Sequence, residues 1–385
     1  MLVLLALPAG AEGPAPAWKT ARTLELHGLR GSLSEPVLVA RSKGYLWFPT
    51  MARLAGGDLL ALMSDYPDEH VAKATSRVCW SRDGGLTWTA PRRALYSDAH
   101  LRLPSGEELL LPYYLRPRPA GGLGAAYQLA PRGKQELRAV PEGVTVTGWP
   151  RPDKSVAPNL GLAGFVFNGQ VVPLREGGYL ATLYGTFRGD GRYSLVAAAS
   201  RDGVHWTIRS TVADANCKLK GAEGPCEAAL CRLADGRLLC VFRLASNVPY
   251  GQAWSSDDGK TWTEPVALRD AFSVQPSLAV LSGGMVILSG GRPGIFAWVN
   301  ADGSGKDWQR VDLAANHNAC RPKDPITNSA AGGNTSSYTE VVALDGSHLL
   351  CIYDRLPFGW HAIPKDSAET NSVWVVRLTV EKGRR

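Results

Sequence analysis

Two segments of this chain share one pattern. Ser81-Arg82-Asp83-Gly84-Gly85-Leu86-Thr87-Trp88 and Ser255-Ser256-Asp257-Asp258-Gly259-Lys260-Thr261-Trp262 both read Ser-x-Asp-x-Gly-x-Thr-Trp. The recurrence makes the chain a repeat protein, and a repeat restricts the fold more than any local propensity does. The chemistry of the octapeptide is that of a turn. Asp and Ser bond their own backbone, Gly supplies a positive φ, and Trp plugs the apolar space below with its N–H free to find a partner. The motif carries no catalytic chemistry.

A second pattern recurs six times: a strand ending in Leu, a Gly turn, then an apolar strand, which is a hairpin signal. The turn glycines are Gly57, Gly106, Gly178, Gly236, Gly284 and Gly346, spaced 48 to 72 residues apart. The octapeptides start 174 residues apart, three mean periods of about 58. Degenerate copies run from Ser200 to Trp206 and from Asn300 to Trp308. The 42 Gly and 26 Pro among 385 residues suit short strands with tight turns. Six four-stranded units around an axis predict an all-β, six-bladed β-propeller, a single domain over 18–385. A linear stack of β units is the alternative that the long period disfavours.

Innermost propeller strands converge on the axis. Aligned on Leu54, Leu103, Leu174, Leu233, Leu281 and Leu344, the positions six residues earlier are Phe48, Ser97, Asn168, Glu227, Gln275 and Tyr338. Ten residues after the anchors lie Ser64, Tyr113, Tyr184, Arg243, Gly291 and Asp354, with Arg292 beside Gly291. Glu227, Tyr338, Arg243 and Arg292 are the candidate site. Such groups buried together must be mutually paired. The bland alternative is a water-lined channel.

With these residues in place the chain resembles the sialidase (neuraminidase) superfamily, whose Ser-x-Asp-x-Gly-x-Thr-Trp turns are called Asp boxes. The resemblance runs from about Tyr45 to about Arg377. Cys226-Glu227-Ala228-Ala229-Leu230 is similar to the segment bearing the family's glutamate. Arg243 and, more loosely, Arg292 match two of its three carboxylate-binding arginines. Ser337-Tyr338-Thr339-Glu340 matches the segment of its nucleophilic tyrosine. The family's acid/base aspartate falls in Asp65-Tyr66-Pro67-Asp68-Glu69-His70, with Asp68 the first choice and Asp65 the second.

The resemblance implies an exo-glycosidase that removes a terminal acidic sugar, sialic acid or a relative, from a glycan, without metal or cofactor. A substrate carboxylate beside the anomeric carbon repels a carboxylate nucleophile, so a neutral tyrosine serves. Glu227 would activate Tyr338, Asp68 would act as acid and base, and the arginines would hold the carboxylate. One departure stands out. In Leu46-Trp47-Phe48-Pro49, Trp47 occupies the place of the first arginine, with a flat face suited to a sugar ring. That substitution keeps open a hydrolase or lyase acting on another anionic sugar such as a uronate, and a non-catalytic glycan-binding propeller.

The net charge of +7 is dispersed, which argues against a nucleic-acid partner. Met1 to Ala11 reads as the end of an export leader over 1–12, placing the protein outside the cell or in the periplasm; a hydrophobic N-terminal strand is the other reading. No segment is apolar enough to span a membrane. Of the seven cysteines, Cys217 and Cys226 are spaced to pair if the protein is exported, and Cys79, Cys231, Cys240 and Cys351 read as buried thiols.

Overall fold

The computed structural model describes residues 17–67, 75–119, 121–150, 156–157, 164–272, 274–327, 333–359 and 362–383. The fold is all-β and propeller-like, and the one α-helix among the described residues is Leu313–Cys320. That helix starts where the Asp312 carboxylate caps Ala315 N–H at 2.8 Å.

Each hairpin repeat forms an antiparallel sheet. Trp47–Arg53, Leu59–Ser64, Thr75–Ser81 and Arg92–Leu95 make one four-stranded sheet. Two more begin at Cys226–Arg232 and at Ser277–Val280. Thr339–Ala343, His348–Arg355 and Asn371–Lys382 form the last, and the N-terminal strand Val37–Ser42 pairs with Asn371–Val375 to close the ring. The far half of the same long strand pairs with Leu29–Ser34 of an N-terminal hairpin.

Six repeats therefore yield five hydrogen-bonded sheets, where the sequence predicts six. The cause is a parallel pairing of Thr145–Thr147 with His205–Thr207. It joins the outermost strands of the second and third repeats into one ten-stranded sheet. The long interval between Leu101 and Val166 contains two long strands, Leu123–Ala130 and Arg138–Thr147.

The innermost strands pack side by side around the axis, and the first, Trp47–Arg53, packs against the last, Thr339–Ala343. Apolar side chains fill the space between successive sheets. Val241 and Leu239 meet Leu278, Val286, Leu288 and Trp298, for example. Trp80, Trp206 and Trp298 are each 1% exposed, and truncating such a side chain costs about 3–5 kcal/mol.

The octapeptides form the expected turns. Ser81 Oγ accepts Gly85 N–H at 2.8 Å and donates to Asp83 at 2.9 Å. Asp83 also accepts Leu86 N–H, Thr87 N–H and the Thr87 hydroxyl. Gly85 has φ +94°, and a Cβ there would stand 2.9 Å from the Leu350 side chain, so the turn admits only glycine. Below the turn, Trp88 Nε1–H donates to Gly85 O at 3.0 Å.

Arg53, Arg102 and Arg232, each directly before the anchor leucine of its repeat, lace sheet edges. Arg53 donates to Leu344 O, Arg102 to Arg53 O, and Arg232 to Pro173 O. All seven cysteines are free thiols, so Cys217 and Cys226 are unpaired with each other. Among the described residues no helix is long and apolar enough to cross a membrane. Residues 1–12 lie outside the described residues.

Candidate active site

A β-bulge aims the central carboxylate. Cys226 pairs with Arg243 and Ala228 with Phe242, so Glu227 is the extra residue between them. Its φ is +31°, a value L-residues rarely adopt. The same hairpin thus carries both Glu227 and Arg243 into the axis. Arg243 Nη1 donates to both Glu227 oxygens at 3.0 Å. The two residues are 7% and 8% exposed, respectively.

Tyr338 arrives from the last repeat. Ser337 before it has φ +66°, and Tyr338 N–H bonds Ser336 Oγ at 3.2 Å. The segment is pinned by Asp354, which is fully buried. The Asp354 carboxylate accepts Thr335 Oγ1–H at 2.8 Å, Ser336 N–H at 2.7 Å, the Ser336 hydroxyl, and Phe48 N–H at 3.2 Å. The Tyr338 hydroxyl consequently donates to Glu227 Oε1 at 2.5 Å and accepts from Arg243 Nη1 at 3.0 Å. Burial, then the Glu227 charge, push the phenol well above its ordinary pKa, so at rest the proton stays on oxygen.

Arg292, at φ +56° after the strand Val286–Gly291, completes the group. Its guanidinium lies 5.9 Å from the Tyr338 ring centroid. It donates to Ser246 Oγ at 3.1 Å and to Ser336 O at 2.8 Å. Ser246 also accepts from Arg243 Nη2 at 3.2 Å, so one hydroxyl couples the two guanidiniums.

Beneath Glu227 lies a buried polar floor. Gln275 N–H donates to Glu227 Oε2 at 2.9 Å, while its side chain donates to Asp98 at 2.8 Å. Asn168 Nδ2 donates to Asp98 at 2.5 Å and to Gln275 Oε1 at 3.1 Å. Burial raises the Asp98 carboxyl to about 8. The axial alignment named Asn168, Glu227 and Gln275 but took Ser97 in place of its neighbour Asp98. Sequence reasoning also missed Glu223, which pairs with Arg243 Nη2 at 2.8 Å, and Ser246. Glu223 stands one helical-looking step before Glu227 in a stretch with no strand periodicity, so no pattern singled it out.

The remaining expected residues fall elsewhere. Asp68 lies outside the described residues. Asp65 is held by Arg77 at 2.7 Å and by the Thr75 hydroxyl at 2.5 Å; both partners belong to its own sheet. Trp47 is 1% exposed and stacks on Phe48 at 5.1 Å. It has no open face, which corrects the expectation that it stacks on a sugar. Phe48 takes the inward position instead, because a bulge between Trp47 and Thr50 and a φ of +46° turn it toward the axis.

A tyrosine wall borders the group. Tyr113 and Tyr184 share a hydrogen bond at 2.6 Å between their hydroxyls, and Tyr96 packs on Tyr113 at 5.3 Å. Burial, with the Glu227 charge among the lesser causes, raises the Tyr113 and Tyr184 phenols. Chemically the site offers a neutral phenol, a carboxylate able to take its proton, and two cations beside them.

No protein-family model and no curated protein matches the chain. Solved structures do. A Dyadobacter fermentans protein of unknown function is 19% identical, with TM-score 0.66 over 92% of this chain and 100% of that one. The α-L-arabinofuranosidase of Fusarium graminearum is 16% identical, with TM-score 0.59 over 90% and 98%. The NanB sialidase from Streptococcus pneumoniae is 15% identical, with TM-score 0.53 over 90% and 70%. The likeness is one of fold, and it spans nearly the whole of this chain.

Proposed function

We propose that this protein is a glycoside hydrolase that removes a terminal sugar from a glycan, with Tyr338 as nucleophile. The observation that carries the reading is the 2.5 Å hydrogen bond from the Tyr338 hydroxyl to Glu227, with Arg243 bridging both. Counting the ten-stranded sheet as two blades laced at their outer edges supports a six-bladed reading of the propeller. The apolar stretch over residues 1–12 supports action outside the cytoplasm.

In the first step the Tyr338 oxygen bonds to the anomeric carbon as Glu227 takes the phenol proton. The glycosidic C–O bond breaks, and Asp68 protonates the departing oxygen. Water then attacks the anomeric carbon, Asp68 takes the water's proton, and Tyr338 leaves as phenolate and recovers its proton from Glu227. Arg243 stabilises the phenolate oxygen in both steps.

The sequence resemblance points to an acidic sugar, sialic acid or a relative. Its carboxylate would need the space between Arg292 and the outer edge of Arg243, where Glu223 and Ser246 already bond Nη2. The fold neighbours include an enzyme named for sialic acid and one named for arabinofuranose, so both belong in the test. Aryl sialosides, aryl uronides and aryl α-L-arabinofuranosides are incubated with the wild type and with Tyr338→Phe. Release from one class, lowered by roughly 10^3- to 10^6-fold in the variant, supports the reading. Turnover that survives Tyr338→Phe, or elimination instead of hydrolysis, overturns it. Glycan binding without turnover of any substrate makes the protein a lectin-like propeller.

A further inference from the structure

Both terminal nitrogens of Arg243 are taken, while its Nε is buried. Nη1 faces Glu227 and Tyr338. Nη2, the edge toward solvent, faces Glu223 at 2.8 Å and Ser246 at 3.2 Å. The Glu223 side chain is 34% exposed where that of Arg243 is 9%. Glu223 therefore stands on the open side of the guanidinium, where an incoming carboxylate would bind.

Its placement is built into the backbone. Glu223 N–H and Gly224 N–H both donate to Leu244 O at 3.1 Å, and Glu223 O accepts Tyr193 N–H at 2.8 Å. Leu244 directly follows Arg243, so the loop is sewn to the strand end that carries its partner.

Among the described residues the charges of this group close without a substrate. Arg243 and Arg292 balance Glu223 and Glu227. The position expected to bring a third cation holds Trp47, which is buried, and Phe48. A substrate carboxylate entering this half-buried group would leave one negative charge uncompensated beside Glu223. We propose that Glu223 takes the place of the substrate carboxylate, so that the site selects a sugar uncharged next to its anomeric carbon. This rests on the glycosidase reading above. The reason for a phenol nucleophile is unchanged: the negative charge beside the reacting carbon is the protein's own, and a neutral attacking group still serves best.

Glu223→Ala should open the seat. Acetate, a carboxylate with no sugar attached, is titrated against the wild type, Glu223→Ala and Glu223→Gln by calorimetry. Glu223→Ala should bind acetate at least about tenfold more tightly than the wild type, the size of one charge-assisted hydrogen bond, and Glu223→Gln, which removes the charge but still fills the seat, should fall between them. In Glu223→Ala the ratio of kcat/KM for carboxylated over neutral aryl glycosides should rise at least about tenfold. Added acetate should restore turnover of the neutral ones. Equal acetate binding by all three proteins, or a wild type that prefers carboxylated glycosides, overturns the role of Glu223 while leaving the hydrolase standing. Acetate binding gained in the variants with no turnover of any glycoside supports the seat and removes the hydrolase. Glu223→Gln keeps the side chain's volume and guards against misfolding of the alanine variant.

Discussion

The Phe48 ring lies 4.6 Å from the Tyr338 ring, tilted at 55° to it. It comes from the first repeat and buttresses the candidate nucleophile of the last. Replacing Phe48 with Ala removes that wall, while Tyr338 keeps its bonds to Glu227 and Arg243. We expect kcat to fall by about tenfold, since small misplacements of reacting groups are costly, and stability to fall by about 2–4 kcal/mol. Steady-state kinetics on the responsive aryl glycoside, beside urea denaturation, separates the two effects.

Restoring an arginine at Trp47 should not restore a carboxylate clamp. The indole is buried against Tyr45 and Phe48. Trp47→Arg buries an unpaired charge and should cost about 3–5 kcal/mol. A urea midpoint equal to that of the wild type would show that the position opens toward the cavity.

Asp354 is the clasp between the two segments. Its carboxylate holds the Phe48 turn and the Thr335–Ser336 segment together. In Asp354→Asn the amide group faces donors, so at least one buried donor is orphaned. The expected loss is about 1–3 kcal/mol, with kcat falling more than KM rises because Tyr338 loses its support. Unchanged kinetics in the folded variant would separate Asp354 from the site.

Asp98 should give the protein an unusual pH response. Burial lifts its folded-state pKa to about 8, far above about 3.9 for an unfolded aspartate. The folded form therefore holds a proton that the unfolded form has lost. Its contribution is fully present below about pH 4 and is lost as pH rises through 8. The slope reaches about 1.4 kcal/mol per pH unit in between. Asp98→Asn should flatten this part of a urea-stability curve measured from pH 5 to 9. An identical curve for the variant refutes the assignment.

The octapeptide turns respond with the opposite sign. Burial raises the Asp257 carboxyl, but hydrogen bonds from Thr261 and Ser255 outweigh it and bring it to about 2. Its contribution is present above about pH 4 and is lost as pH falls toward 2. Asp257→Ala should lower the melting temperature at pH 7 and narrow the gap to wild type at pH 3. A gap of equal size at both pH values would mean that the charge is not what holds the turn.

The repeat and the axial residues were legible because each rests on local chemistry with a fixed spacing. The octapeptide needs Asp, Gly and Trp at set positions, and the hairpins need their turn glycines. Glu227, Arg243 and Tyr338 then followed from alignment alone. What escaped depends on bulges. A single extra residue between Trp47 and Thr50 leaves Trp47 in the core, where an open face was expected, while Phe48 keeps the axial place that the alignment gave it. Asp98 sits one place from the aligned Ser97, just before the strand Ala99–Arg102 begins, where strand alternation does not apply. Glu223 acts through a loop bonded to Leu244, and loop geometry leaves no periodic trace. The count of sheets failed on an outer-edge pairing between Thr145–Thr147 and His205–Thr207, which no strand pattern encodes.

The pairing of Val37–Ser42 with Asn371–Val375 has a bearing on how the molecule is made. The strand that shuts the ring is synthesised before the sheets it joins, and its partner emerges roughly 330 residues later. At ordinary ribosomal speeds that wait is roughly tens of seconds. Until then the growing chain is an open arc with a bare edge at each end, and bare edges are where strands of other chains add. Only the arrival of Asn371–Val375 converts it into a closed ring.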